Sequence, residues 1–153
     1  MGEWGTKKVM SDNTINNGLK EEFYPLSFFD KILGKIKPRL KERYKHGKLD
    51  GLQEYFHENG QVLRRANYKN GELDGLQESY DENGQLERRG NFKNGELDGL
   101  WEMFHKNGQL REKRNYKNRE YDGLWEYFDE DGNLISKKCF TNNKEVRMSK
   151  CEN

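Results

Sequence analysis

Residues 69–91 read KNGELDGLQESYDENGQLERRGN, and KNGELDGL returns at Lys93. Two Asn-Gly steps stand inside this stretch, each followed by an alternating apolar and polar run. Asn-Gly between such runs is the strongest short-range hairpin signal, because both central residues of a type I′ turn need positive φ. The stretch therefore reads as turn, strand, turn, strand.

The pattern recurs. Tyr44, Tyr68, Phe92, Tyr116 and Phe140, each just before a turn, fall 24 residues apart without a gap. We number each unit from that aromatic. Position 4 is Gly47, Gly71, Gly95 and then Arg119, and position 6 is Leu49, Leu73, Leu97 and Tyr121. Positions 7 and 8 are always Asp-Gly, position 9 is always Leu and position 11 always Glu. Position 13 is Phe56, Tyr80, Phe104 and Phe128; position 19 is Val62, Leu86, Leu110 and Leu134. Self-similarity at a fixed period means an array in which each unit packs only on its neighbours. The expected fold is all-β: an elongated, single-layer antiparallel β-meander of 24-residue hairpin repeats. Four units span 44–139, a degenerate half unit and tail fill 140–153, and 1–43 is an N-terminal segment. With strands about 4.8 Å apart, each unit advances roughly 10 Å and the ribbon is about 40–50 Å long.

The bulk composition agrees. Of 153 residues, 31% are hydrophobic and 36% charged, which is poor material for one thick core, while 12% aromatic content argues against disorder. A formal charge of +1 gives no global field toward nucleic acid or anionic membranes. No apolar run reaches the length of a membrane span, and MGEWGTKKVM lacks the apolar core of a signal peptide. Met1-Gly2-Glu3-Trp4-Gly5-Thr6 matches the myristoylation pattern, but the Asn- and Lys-heavy composition suits a bacterial or phage source, where that modification is not expected. Cys139 and Cys151 form no C-x-x-C pair and read as free thiols in a reducing cytoplasm.

Two-residue turns at positions 3–4 and 16–17 set an expected register: 13 opposite 20, 11 opposite 22, 9 opposite 24, 1 opposite 6, 23 opposite 8, and 12 opposite 19 or 21. One face then carries positions 1, 6, 8, 10, 12 and 19. It includes Trp101, Trp125 and Tyr127, grows richer in rings toward the C-terminus, and reads as the packing face, with the position-8 glycine leaving room for a neighbouring ring. The other face sets Glu54, Glu78, Glu102 and Glu126 opposite Arg65, Arg89, Lys113 and Lys137, flanked by the position-9 leucines and by rings such as Phe104 and Phe128. Opposite charges across a strand pair contribute roughly 0.2–1 kcal/mol each.

Tyr116–Leu134, YKNREYDGLWEYFDEDGNL, resembles the MORN-type repeat, in the variant found in bacterial antitoxin-like proteins. The resemblance extends from Tyr44 to about Phe140. It implies an elongated, twisted β-meander used as a docking surface. Some members of the wider family were proposed to bind phospholipid, for which this chain lacks a basic surface.

At the N-terminus, SDNTINNG reads as loop, and NNGLKEEFYPL as a decayed first unit with Asn17-Gly18 as a further turn. Residues 27–37, SFFDKILGKIK, place Phe28, Phe29, Ile32, Leu33 and Ile36 at helical spacing. Ser27 with Asp30 signs the start and Pro38 the end. The expected role of this helix is a cap over the sheet's first edge; the alternative is a partner-binding helix.

Catalysis finds no constellation. His57 and His105 hold position 14, where sister units carry Asp81 and Asp129, so they read as turn residues. Glutamates about 10 Å apart in adjacent units are too far apart for a retaining carboxylate pair. No metal, cofactor or phosphate loop is expected. The expected function is protein–protein recognition that neutralises a partner. That partner is a toxin, with the chain as antitoxin or immunity protein, or a bacterial defence nuclease blocked by a phage-borne inhibitor of the anti-CRISPR kind, its basic groove occupied by the acidic rows. The candidate contact residues are Trp101, Trp125, Tyr127, Phe104, Phe128, Glu78, Glu102 and Glu126. The alternative is single-stranded nucleic-acid binding along the recurrent basic steps, through Arg64, Arg88, Lys113, Arg114 and Lys138.

Overall fold

A computed structural model describes residues 16–151; the N-terminal myristoylation pattern lies outside them. The strands are β1 Gly18–Phe23, β2 Pro38–Lys45, β3 Lys48–Leu49, β4 Gly51–Phe56, β5 Val62–Lys69, β6 Glu72–Tyr80, β7 Leu86–Lys93, β8 Glu96–Phe104, β9 Leu110–Lys117, β10 Glu120–Phe128, β11 Leu134–Thr141 and β12 Lys144–Val146. A short helix α1, Phe28–Ile32, joins β1 to β2, and a 3-10 turn, Met148–Lys150, follows β12. All twelve strands form one antiparallel sheet in chain order, with β3 beside β2. The β-meander is as expected.

Two turn chemistries build it. At positions 3–4, both residues are left-handed in every unit: His46-Gly47, Asn70-Gly71, Asn94-Gly95, Asn118-Arg119 and Asn142-Asn143. These are the expected two-residue turns. The second turn is different. Gly60 N–H donates to His57 O at 2.9 Å and His57 N–H to Gln61 O at 2.8 Å, and within this loop only Gly60 has positive φ. That is a three-residue loop, a type I turn closed by a glycine bulge. Asp81–Gln85, His105–Gln109 and Asp129–Asn133 repeat it.

The longer loop corrects the register near it. Position 13 pairs with 19, not 20: Phe56 with Val62, Tyr80 with Leu86, Phe104 with Leu110 and Phe128 with Leu134. Position 19 therefore leaves the packing face and joins position 13 on the other. Further along, 11 opposite 22 and 9 opposite 24 hold as expected. Between units, Tyr68 pairs with Leu73 but Ala66 with Gln77, so Asn67 faces the wide bulge Asp74-Gly75-Leu76, and position 23 meets 10 rather than 8. Gly75 has φ +114, and a Cβ there would lie 3.3 Å from Asn67 Cβ. The position-8 glycine thus makes room for the preceding strand's asparagine, not for a ring. Asn67 Nδ2 then donates to Leu76 O at 3.0 Å.

The array begins earlier than Tyr44. Gly18 pairs with Tyr44 as Gly51 pairs with Tyr68, and Phe23 pairs with Pro38 across the same irregularity. Asn17–Phe23 therefore fills positions 7–13 of a decayed unit, and Asn17-Gly18 is a strand entry rather than a turn. α1 sits where the other units have their three-residue loop. It is shorter than the expected 27–37 and begins at Ser27, whose hydroxyl accepts from Asp30 N–H. None of its residues is buried, and Phe28, Phe29, Ile32, Leu33 and Ile36 are all exposed. The expected cap over the first edge is not formed, because the helix projects from the hairpin end.

Most buried side chains lie on the packing face: Leu40, Glu42, Gln53, Ala66, Ser79, Glu112 and Trp125. The expectation of free thiols is overturned, since Cys139 and Cys151 are bonded, with Cα atoms 5.9 Å apart. The β11–β12 hairpin and the 3-10 turn carry residue 151 back over β11, a return that no local cysteine spacing announces. No helix among the described residues is long and apolar enough to cross a membrane.

Arg119 holds φ +68 where sister units have glycine. Replacing it, Arg119→Gly, is expected to raise stability by roughly 1 kcal/mol in urea titration, because a left-handed side-chain residue costs about that much. Its exposed ion pair with Glu96 adds little against this. A lower midpoint would contradict the strain.

Four carboxyls are held below their usual range. Glu22 is held by its bond to Arg39, Asp30 by the Ser27 hydroxyl, Asp81 by the Gln85 amide, and Asp129 by the Asn133 side chain. A carboxyl depressed in the folded state adds stability above its unfolded pKa and loses it as pH falls through the folded value. The urea midpoint is therefore expected to decline on acidification below about pH 4. A midpoint flat across that range would show these bonds to be energetically silent.

Candidate functional site

The register places one charged residue per strand in a single row on the outer face. From β1 to β11 it reads Glu21, Lys41, Glu54, Arg65, Glu78, Arg89, Glu102, Lys113, Glu126, Lys137. Signs alternate without a break. Every interior glutamate lies between two bases, one from each side, where the sequence pairing had supplied one. Arg65 Nε reaches Glu54 at 2.9 Å, Lys137 Nζ reaches Glu126 at 3.4 Å, and Arg89 bonds Glu102. The Arg65 and Arg89 guanidinium pKa values are pushed up, first by these carboxylate bonds. The row neutralises itself.

The packing face has two halves. Its central row runs Lys20, Glu42, Gln53, Ala66, Gln77, Gly90, Trp101, Arg114, Trp125, Lys138. The N-terminal half is a polar network. Buried Glu42 accepts from Gln53 Nε2 at 2.6 Å, Tyr44 Oη at 3.0 Å and Lys20 Nζ at 3.3 Å. Arg64 Nη2 donates to Gln77 Oε1 at 3.1 Å. The C-terminal half is aromatic. Tyr121 and Phe140 stand 4.3 and 4.4 Å from the Trp125 ring, Tyr116 joins them, and Arg114 lies over Trp125 at 4.4 Å.

The eight sequence-predicted contact residues divide between faces. Trp101, Trp125 and Tyr127 are on the packing face; Phe104, Phe128, Glu78, Glu102 and Glu126 are on the charge-row face. Trp125 is only 7% exposed and works as core, and Glu102 is buried too. The other six are half-buried. The five candidate nucleic-acid cations divide as well. Lys113 is in the charge row beside Glu126, Arg114 pairs with Glu112, and Lys138 with Glu145 at 3.2 Å. Arg64 and Arg88 have no carboxylate partner among the described residues; Arg88 Nε lies 3.4 Å from Ser79 Oγ.

The histidines bridge units. His57 Nε2 donates to Tyr80 O at 3.1 Å and His105 Nε2 to Phe128 O at 2.9 Å. Asp81 and Asp129 instead accept amides of their own loops. No three His, Cys, Asp or Glu side chains converge on a metal position among the described residues.

The sequence reading gives α1 as a cap, with a partner-binding helix as the alternative. Phe28, Phe29 and Ile32 in it, with Leu33 and Ile36 just after it, form an exposed apolar knob, flanked by Lys31 and Lys35, with Lys37 bonded to Asp30 at 2.9 Å. The helical spacing is visible in the sequence; the exposure is not, since amphipathic spacing shows an apolar face without saying what covers it.

Gly90 decides where Trp101 goes. A Cβ at Gly90 would stand 2.2 Å from Trp101 Cε3, so the indole lies across the glycine. Gly90→Ala is therefore expected to cost about 1–3 kcal/mol by overpacking and to change the near-ultraviolet circular dichroism. Adding Trp101→Gln recreates the Ala66–Gln77 pair of an earlier unit and is expected to recover most of that loss. Additive losses would show that the two positions do not share space.

The MORN repeat variant family matches residues 49–70, 73–94, 97–118 and 121–142, together more than half of the chain. No curated protein matches. Among solved structures, the crystal structure of TarM matches over 64% of this chain and 19% of its own, at 15% identity and a TM-score of 0.40. A mutant S. aureus TarM in complex with Fondaparinux, alpha-GlcNAc-glycerol and UDP matches over 63% and 19%, at 14% identity and a TM-score of 0.41. This chain spans about a fifth of the solved chains it matches (19%).

Proposed function

We propose that this chain, which belongs to the MORN repeat variant family, works by docking onto another protein. The α1 knob carries the reading. Phe28 and Phe29 are 73% and 74% exposed, and Ile32, Leu33 and Ile36 stand beside them. A contiguous exposed apolar patch on an otherwise highly charged surface marks an interaction site. The knob is also firmly built. Ser27 caps it, Tyr24 N–H closes its base on Lys37 O at 2.8 Å, and Tyr24 Oη donates to Phe56 O at 2.7 Å. Holding apolar side chains in place before contact lowers the ordering cost of binding. Lys31 and Lys35 favour a partner whose apolar pocket is rimmed by carboxylates.

Neutralisation of a toxin or of a defence nuclease is the partner relationship that fits such a module. In that case the knob and the ring-bearing face block the partner. The glutamates are poorly suited to imitate a nucleic acid, since each interior one lies between two bases. The cytoplasmic placement loses its thiol argument with the cysteines bonded. The nucleic-acid alternative keeps two of its five cations free of carboxylates, Arg64 and Arg88.

A pull-down from host lysate compares the full chain with Phe28→Ser/Phe29→Ser, each checked by far-ultraviolet circular dichroism. The expected result is one specific protein, held roughly a hundredfold or more weakly by the double variant, the scale of losing two buried rings. Equal capture by both proteins would remove the knob from the interface. Recovery of nucleic acid alone would overturn the protein-docking reading.

A further inference from the structure

The two ends of the sheet are the two parts of one interrupted repeat. In the junctions between units, the strand that begins at position 19 pairs from position 21 onward with the next unit's strand of positions 5–12, as β5 does with β6 and β7 with β8. β11 is a strand of the first kind, but its partner is cut short. β12 supplies only positions 5–7, pairing Lys144 with Thr141, Glu145 with Phe140 and Val146 with Cys139. The chain then leaves the edge at Arg147, and Leu134–Lys138, paired with β10 on their inner side, are all exposed with no strand on their outer side among the described residues. β1 is the missing remainder. It carries positions 8–13, and its outer edge has no partner among the described residues.

We propose that copies of this chain associate head to tail, β1 of one copy adding to the open edge of β11 of the next. The inter-unit register, read from Arg64 with Ser79, Arg65 with Glu78 and Ala66 with Gln77, fixes what meets. Ser136 faces Glu22, and Lys137 faces Glu21. The alternating charge row thus continues across the joint without a change of rule, from Glu126 and Lys137 in one copy to Glu21 and Lys41 in the next. One step further, Ile135 and Phe23 fall side by side; they are 66% and 48% exposed in the single chain, and Leu63 at the place of Ile135 stays 40% exposed inside the array. Lys138 facing Lys20 is the one like-charge pair. It is offset because Lys138 is bonded to Glu145 and Lys20 to Glu22 and Glu42.

β12 holds positions 5–7 along β11 and the incoming Lys20–Phe23 holds 10–13, so these strands lie end to end; Asn16 and Asn17, at positions 6 and 7 in the single chain, leave the edge in the joint. Main-chain bonding to a free edge supplies the attraction, and the side-chain row supplies the register. The contact is heterologous: a joined pair keeps one free β1 edge at one end and one free β11 edge at the other, so association builds chains of copies rather than closed dimers. A four-residue joint is small, and the association is weak.

Sedimentation velocity over a concentration series of the full chain tests this. The weight-average sedimentation coefficient is expected to climb steadily, past the dimer value. Glu21→Lys and Lys137→Glu are each expected to suppress the climb, and an equimolar mixture of the two to restore it, since each new charge then faces its opposite. Both substitutions also touch a hairpin within the copy, so circular dichroism of each variant and the recovery in their mixture separate loss of the joint from loss of the fold. A coefficient independent of concentration, a plateau at dimer, or no recovery on mixing two variants that keep the parent's circular dichroism would overturn the proposal.

Discussion

The amide at position 4 of each unit fixes the array. Gly71 N–H donates to Leu49 O at 2.7 Å, Gly95 to Leu73 at 2.8 Å, Arg119 to Leu97 at 3.0 Å and Asn143 to Tyr121 at 3.1 Å. A type I′ turn, with both central residues left-handed, turns that amide away from its own hairpin and toward the preceding unit. One backbone conformation therefore closes a hairpin and stacks it. Gly47 N–H makes the same bond to Asn16 O at 2.7 Å, which places Asn16 at position 6 and extends the array to the unit that holds β1.

From that constraint the faces follow. A one-residue slip would move every side chain to the opposite face, and the turns forbid it at both ends of each strand. The fixed register delivers position 11 of one strand to position 22 of both neighbours, which is why the charge row alternates over ten strands. Each pair is partly exposed and contributes little alone. Their joint effect is on pairing: an acid finds a base on either side only when strands enter in order. At the other end of the hairpins, Asn59 Nδ2 donates to Glu82 O and Asn107 Nδ2 to Glu130 O, so the loops also bond unit to unit. An array of this kind is held by nearest neighbours and needs no second layer.

What the sequence disclosed was what lies within a few residues of a turn. The 24-residue period, the strand content and the opposition of Glu78 to Arg89 all follow from Asn-Gly spacing. The two turns looked alike because Asn-Gly serves a two-residue type I′ turn and a three-residue bulged loop equally well. The distinguishing residue was Asp81, whose carboxylate accepts from Asn83 and Gln85 amides at 2.8 and 2.9 Å and so closes the longer loop. The disulfide was illegible for another reason: Cys139 and Cys151 meet only once β12 has folded back. The exposed knob at Phe28 and Phe29 was illegible because amphipathic spacing reveals an apolar face without saying what faces it.

A single-layer sheet has to bury its large side chains by laying them flat along itself, since nothing packs from above. That accounts for the pairing of sizes across positions 10 and 23. Gln53 and Gln77 stand opposite Ala66, whereas the Trp101 indole lies over Gly90 and the Trp125 ring lies under the Arg114 guanidinium. A ring that lies flat is spent on the neighbouring strand, and Trp125 at 7% exposure has little surface left for a partner. The C-terminal rings are thus the part of the ribbon with the best-filled core. Leu63 and Leu76 apart, the apolar surface left without such a neighbour lies where the repeat is interrupted, at α1 in the widened first loop and along the two open edges, Phe23 and Ile135 among it. Interruption of the period, not its richest copy, is what leaves apolar side chains uncovered.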